Sequence, residues 1–462
     1  MEIPVKKNEE YIVDIIDNGY QGEGIAKIEN YTIFVSNAIK GEKVKILILK
    51  VTSSHAFGKI IEIIEKSASR QDSDCISYKR CGGCNLRHFK YEETLKLKRE
   101  IVQNLVNKTL KTKIEVENTV GMEEPFHYRN KAQYPVGKNK EGKAIFGVFA
   151  NRTHDIIEFD KCLIQTKVSS QIAKLIIEFI NENNISVYDE KSRKGLFRHI
   201  IVKYGMKTRE VMCVFVCTDT CIPKEEELKN KLLEKFPNIK TIIKNINKRN
   251  TNVILGNENV VIYGDGYIQD KLGEYVFNIS TNSFYQINPV QTEKLYNLGI
   301  EGAKLEKQDT VFDLYCGIGT IGIFASKYVK KVYGIEIIEQ AIKDAKENAR
   351  INCIDNIEFR AGDVEEVLQK LIFEEKIKPD VVFVDPPRKG LDTNTVNNLL
   401  KIEPKKIIYI SCNPATLVRD LSMLEEIYEI KQIQPVDMFP FTSHVEAVAQ
   451  IFNVNALQRL NR

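Results

Sequence analysis

Thr310 to Ala325 reads TVFDLYCGIGTIGIFA. Apolar residues lead into Gly317, Gly319 and Gly322 and then into a second apolar run, the pattern of a strand, a glycine turn and a helix. Glycines at that spacing let the backbone approach a nucleotide, a feature shared by dehydrogenases and other nucleotide-binding folds. Working outward, Lys331–Ile337 (KVYGIEI) forms a second strand whose tip carries Glu336, a carboxylate suited to gripping the two hydroxyls of a ribose. Ile357–Phe359 leads into Gly362 and Asp363, and a fourth strand beginning at Asp380 runs out through VVFVDPPRKG with Asp385 near its end. Strands alternating with helix patterns predict a doubly wound α/β domain.

The next strand sharpens the chemistry. Lys405–Asp420 is KKIIYISCNPATLVRD, in which Ile407, Ile408, Tyr409 and Ile410 end abruptly at Ser411, Cys412, Asn413 and Pro414. A buried strand thus delivers Cys412 to its C-terminal tip, where open α/β sheets keep their reactive groups. Asn413 suits a cap and Pro414 a first helical turn, so a helix N-terminus close to Cys412 is expected to favour the thiolate. Taken alone, this stretch reads better as a buried structural cysteine, because free cysteines are among the most commonly buried residues.

DLYCGIGTIG, DPPRKG, SCNPATLVRD and HVEAVAQIF together resemble the S-adenosylmethionine-dependent RNA uracil-5-methyltransferases, in the branch that modifies 23S ribosomal RNA. The resemblance covers nearly the whole chain. It implies Cys412 as nucleophile, Glu446 as base, and S-adenosyl-L-methionine contacts from Gln286, Tyr315, Glu336, Asp363 and Asp385. The roles follow from the chemistry of such a reaction. Carbon 5 of uracil becomes nucleophilic only after a thiolate adds at carbon 6, and a base must then remove the carbon-5 proton so that the cysteine can leave. A stacked base cannot reach a cleft, so a flipped nucleotide in a loop is the expected substrate. A tRNA T-loop is the alternative target.

The rest of the chain divides on composition. Residues 1–65 hold short alternating segments punctuated by NGYQGEG and AIKGE, the spacing of a small antiparallel barrel. The segment resembles the TRAM domain, an OB-like RNA-binding module. It carries eight Lys against ten acids, so charge alone gives it no RNA role. Cys75, Cys81 and Cys84 follow in a C-x5-C-G-G-C arrangement, with Cys162 far downstream, and clustered thiols of this kind ligate a metal or a cluster. Zinc is the alternative; the resemblance implies a [4Fe-4S] cluster held by Cys75, Cys81, Cys84 and Cys162. Lys79–Lys113 contains ten Lys or Arg against three Glu, interleaved with His88, Phe89 and Tyr91. That suits a phosphate-contacting surface, or a solvated helix face over its later part. Tyr128–Lys131 and Arg198–His199 resemble segments lining the family's RNA cleft.

Three domains are expected: 1–65 TRAM; 66–275 central α+β with the cluster, its helical segment at about 91–119 packing on the catalytic domain; and 276–462 Rossmann-like methyltransferase. The net charge of +4 over 462 residues excludes neither RNA nor protein partners. No apolar run reaches the length of a membrane span and the first residues are too charged for a signal peptide, so a cytoplasmic monomer is expected.

Overall fold

The computed structural model of the protein describes residues 3–150, 153–159 and 161–454. Its C-terminal part is a seven-stranded sheet in the order Ile357–Ala361, Lys331–Glu336, Thr310–Leu314, Val381–Val384, Lys406–Ser411, Glu446–Asn453 and Tyr428–Val436. The first five strands run parallel, and Glu446–Asn453 is antiparallel to both of its neighbours, Lys406–Ser411 and Tyr428–Val436. Strand order reverses between Thr310–Leu314 and Val381–Val384, which opens a crevice at their C-terminal ends.

Alternation along these strands decides which helices cover which face. Phe312, Leu314, Val382, Val384, Ile407 and Tyr409 point to one side, beneath the helices Thr393–Ile402 and Pro414–Leu424. Val311, Val381, Phe383, Ile408 and Ile410 point to the other, beneath Pro289–Ala303 and Thr320–Ser326. A much earlier element joins the first of these layers. The helix Tyr91–Thr109 inserts Val102 and Val106 there, packing on Pro414–Leu424. Its Lys98 is fully buried and ion-pairs with Asp437, whose other oxygen accepts from Tyr91 Oη at 2.8 Å.

Ahead of that helix lies a six-stranded sheet in the order Glu10–Asp14, Lys43–Val51, His55–Glu65, Tyr31–Ser36, Gly24–Ile28 and Asp17–Asn18. Past the edge strand, Ile15 N–H donates to Glu42 and Ile16 N–H to Ile25, so the sheet folds over a core that includes Val13, Ile33, Val35 and Ile46. Between the two lies a second seven-stranded sheet, from Glu258–Tyr263 through Ile239–Ile246, Val211–Cys217, Phe197–Tyr204, Lys131–Lys138 and Ala144–Phe149 to Ile156–Glu158. Helix Lys167–Glu182 lies against it with Ile172, Ile176, Phe179 and Ile180 buried. The hairpin Tyr267–Leu272 and Tyr275–Ser280 leads from this sheet to the last one and is tied there by Asn348 and Asn352, which accept from Asn278 and Val276 N–H at 2.9 Å. Among the described residues no helix is long and apolar enough to cross a membrane.

Candidate active site

Three neighbouring strands carry Asp385, Cys412 and Glu446 to one end of the sheet. Val384 pairs with Tyr409 and Ser411 with Ala447, so the residue after Val384, the residue after Ser411 and the residue before Ala447 emerge together. Glu446 is 4% exposed, and burial with the nearby Asp385 charge pushes its carboxyl up to about 8. Burial likewise raises Asp385 to about 7. Such values place both acids where they can hold or release a proton near neutrality.

The Cys412 thiol differs from the sequence-based expectation. Burial raises it above the ordinary cysteine value and Glu446 and Asp385 raise it further, against the Arg388 guanidinium and a backbone hydrogen bond, which lower it. The helix Pro414–Leu424 begins as expected, with Pro414 in its first turn. However, its N-terminal amides are already engaged: Asn413 accepts from Ala415 N–H through its side chain and from Leu417 N–H through its carbonyl. Desolvation and two carboxyls therefore shift this thiol upward, opposite to the thiolate-favouring effect expected of the helix N-terminus.

Beside this group lies the glycine-turn crevice. Tyr315, Gly317 and Gly319 all have positive φ (64°, 53° and 82°), which bends the chain sharply away from the strand. A Cβ on Gly317 would meet nothing, so open space lies before its backbone, whereas one on Gly322 would lie 2.9 Å from Ile357 and 3.0 Å from Asp313. Glu336 reaches back over the turn, accepting from Gly317 N–H at 3.2 Å and Ile338 N–H at 3.0 Å. Asp313 accepts from Gly322 N–H with one oxygen, and its other oxygen is buried without a partner. Burial pushes this carboxyl to about 8. Gln286 is buried on the loop before helix Pro289–Ala303, its carbonyl accepting from Asn130 Nδ2 at 2.9 Å. Asp363 is exposed and caps the helix Val364–Gln369 by accepting from Glu365 N–H. Open backbone before Gly317 and the strand-tip acid Glu336 fit a nucleoside cofactor.

None of the four predicted cluster cysteines is in a disulfide. Cys84 is pushed up to about 12, first by burial and then by Cys162, Cys81 and Cys75, so the four act on one another. Cys84 and Cys162 pack against the same small apolar group of Met122, Tyr128 and Ile164. Gly83 N–H donates to Cys81 Sγ at 3.3 Å, and the backbone of Ile164 and Gln165 to Cys162. Donors of this kind favour thiolate sulfur and suit ligands of a cluster. Among the described residues, no three His, Cys, Asp or Glu are gathered to hold a metal ion.

Some of the charge assigned to RNA is spent inside the protein. Lys98 is buried, and Arg87 forks onto Asp74 (2.6–2.9 Å) while stacking on Phe441 at 3.9 Å. Arg198 donates to the Asn247 and Arg249 carbonyls over the Tyr188 ring, and His199 is buried. Lys79, Arg80, Lys90, Lys108, Lys111 and Lys113 remain exposed. Sequence reasoning assigned no role to Arg388, although it stands three residues after Asp385 in the DPPRKG motif, nor to Asp313, which lies next to last in the strand Thr310–Leu314, four residues before Gly317.

The reversed strand order, glycine turn and reactive cysteine define a doubly wound enzyme that uses a nucleoside cofactor. The chain belongs to the tRNA (uracil-5-)-methyltransferase family, whose model matches residues 90–452, and a TRAM domain matches residues 4–61. An RNA methyltransferase of Clostridium acetobutylicum is 48% identical over 98% of this chain and 99% of its own. One of Staphylococcus epidermidis is 45% identical over 96% and 98%. The crystal structure of Pyrococcus abyssi tRNA (uracil-54, C5)-methyltransferase with S-adenosyl-L-homocysteine is similar at 28% identity and a TM-score of 0.76, covering 96% of this chain and 100% of that one. The protein is thus an S-adenosylmethionine-dependent RNA methyltransferase.

Proposed function

We propose that the enzyme methylates carbon 5 of a specific uridine in 23S ribosomal RNA, acting as a cytoplasmic monomer. The convergence of Cys412 with the buried Glu446 carboxyl carries this reading. Cys412, once deprotonated, forms a bond to carbon 6, and the electrons of the carbon 5–carbon 6 bond move onto the ring as an enolate. S-adenosylmethionine, when bound, supplies the electrophilic methyl group. Glu446 then takes the proton from carbon 5 as the double bond re-forms and the Cys412 thiolate departs. Gln286, Tyr315, Glu336, Asp363 and Asp385 hold the cofactor, Glu336 through the ribose hydroxyls. Cys75, Cys81, Cys84 and Cys162 hold a [4Fe-4S] cluster that fixes the fold around the RNA and takes no part in the transfer.

The TRAM match together with the cysteine set supports ribosomal RNA. The likeness to the Pyrococcus abyssi enzyme supports a second reading, a tRNA T-loop uridine. Mass mapping of 23S RNA and tRNA from a deletion strain tests both. Loss of a 5-methyluridine from 23S RNA is expected, loss from tRNA alone selects the second reading, and no loss from either overturns both.

A further inference from the structure

The N-terminal sheet reaches into the neighbourhood of Cys412 through one turn. Gly19–Glu23 is closed by Gly19 N–H to the Glu23 carbonyl (2.7 Å) and Gly22 N–H to the Gly19 carbonyl (2.9 Å), with Gln21 N–H held by the Glu23 carboxylate at 2.9 Å. Asn85 clips this turn to the loop before Glu446. Its Nδ2 donates to the Gln21 carbonyl at 2.7 Å and to Ser443 Oγ at 2.8 Å, while its Oδ1 accepts from Ser443 N–H at 2.9 Å. Leu86 completes the dock, seated under Gly22 and donating its N–H to the Phe441 carbonyl at 2.9 Å.

The residue at the tip of this turn is Tyr20, 45% exposed. Partial burial raises its hydroxyl, and the Arg388 guanidinium and the Cys412 sulfur, far along the chain from it, act on it to a lesser degree. Arg388 is itself exposed, with no carboxylate partner among the described residues. Its main chain is fixed beside Cys412, since its carbonyl accepts from Asn413 Nδ2 at 3.0 Å. A half-exposed aromatic ring on a turn clipped to the loop before Glu446, within electrostatic reach of an exposed guanidinium whose main chain adjoins the nucleophile, matches what a splayed RNA strand needs: a face for a base and a charge for a phosphate.

We propose that Tyr20 is a positioning residue of the methyltransferase, stacking on a nucleotide next to the flipped uridine while Arg388 holds the adjoining phosphate. This rests on the functional reading above and adds to it a contribution from the N-terminal domain to the active-site mouth. Stacking of this kind sets RNA affinity and leaves the chemistry at saturation alone. In full-length enzyme assayed on unmodified 23S RNA, and separately on total tRNA, from the deletion strain, Tyr20→Ala is expected to raise the RNA KM about ten- to a hundredfold. Its kcat and S-adenosylmethionine Kd should stay within about twofold, and its melting temperature should match wild type. Tyr20→Phe should restore the KM, because the ring and not the hydroxyl is used. Asn85→Ala, which frees the turn but keeps the ring, should also raise KM. A wild-type KM for Tyr20→Ala, a loss confined to kcat, or an equal loss in Tyr20→Phe would overturn the inference while the methyltransferase reading stands. A wild-type enzyme that methylates neither RNA would instead overturn the reading beneath it.

Discussion

Glu446 works as a base only when ionised, and its carboxyl sits near 8, so the ionised fraction climbs about tenfold per pH unit below that value. Single-turnover product release should therefore rise about tenfold between pH 6 and 7 and level off above pH 8. Replacing the two catalytic groups should produce different failures. Cys412→Ala gives no methyl transfer and no covalent RNA, whereas Glu446→Gln accumulates methylated RNA still bonded to Cys412, seen as a slow labelled band on a denaturing gel. The raised carboxyl also links to stability. A folded-state value above the unfolded one means stability falls as pH rises from the ordinary glutamate range through about 8. Glu446→Gln removes that buried charge, so its melting temperature should exceed wild type at pH 9 and match it near pH 5. Cys412 and Glu446 were legible because each ends or begins an apolar strand within a distinctive motif. Tyr20 was not, since what brings it to the nucleophile is a clip between Asn85 and Ser443, 358 residues apart.

Among the elements, the short helix Thr320–Ser326 lies so close to its sheet that Gly322 has no room for a side chain. Gly322→Ala would drive a methyl group against Ile357, Asp313 and Val332, at 2.9–3.2 Å. Overpacking there should cost about 1–3 kcal/mol in urea denaturation and weaken cofactor binding by shifting the turn. The helix Tyr91–Thr109 has a different dependence. Its Lys98 is buried against Asp437, and removing one partner strands the other charge, so Lys98→Ala should cost about 3–5 kcal/mol in the same measurement. The parallel strands could be read from sequence because β-branched runs end in glycine or carboxylate. The direction of Lys98 could not: counting basic residues along a helix does not say which of them turns inward, and the partner that decides it lies in a different part of the chain.

Across the whole molecule, the cysteine set spans segments separated in sequence, from Cys75 to Cys162. Anaerobically purified protein should be brown and carry about four irons per chain, falling sharply in Cys162→Ser; stoichiometric zinc without iron would exclude the cluster. The doubly wound character of the last sheet and its glycine turn were legible in the amino-acid pattern, because strand and helix periods alternate there. The docking of the first sheet onto the last was not, because it is made of side-chain and carbonyl contacts with no sequence period. The early helix buried in the late sheet also sets a timetable for synthesis. Lys98 and Asp437 are 339 residues apart, so at roughly 5–20 residues per second the helix waits about 17–70 s on the ribosome for its partner. Throughout that interval Val102 and Val106 have no core to enter, and the nascent chain must be sheltered until its final strands emerge.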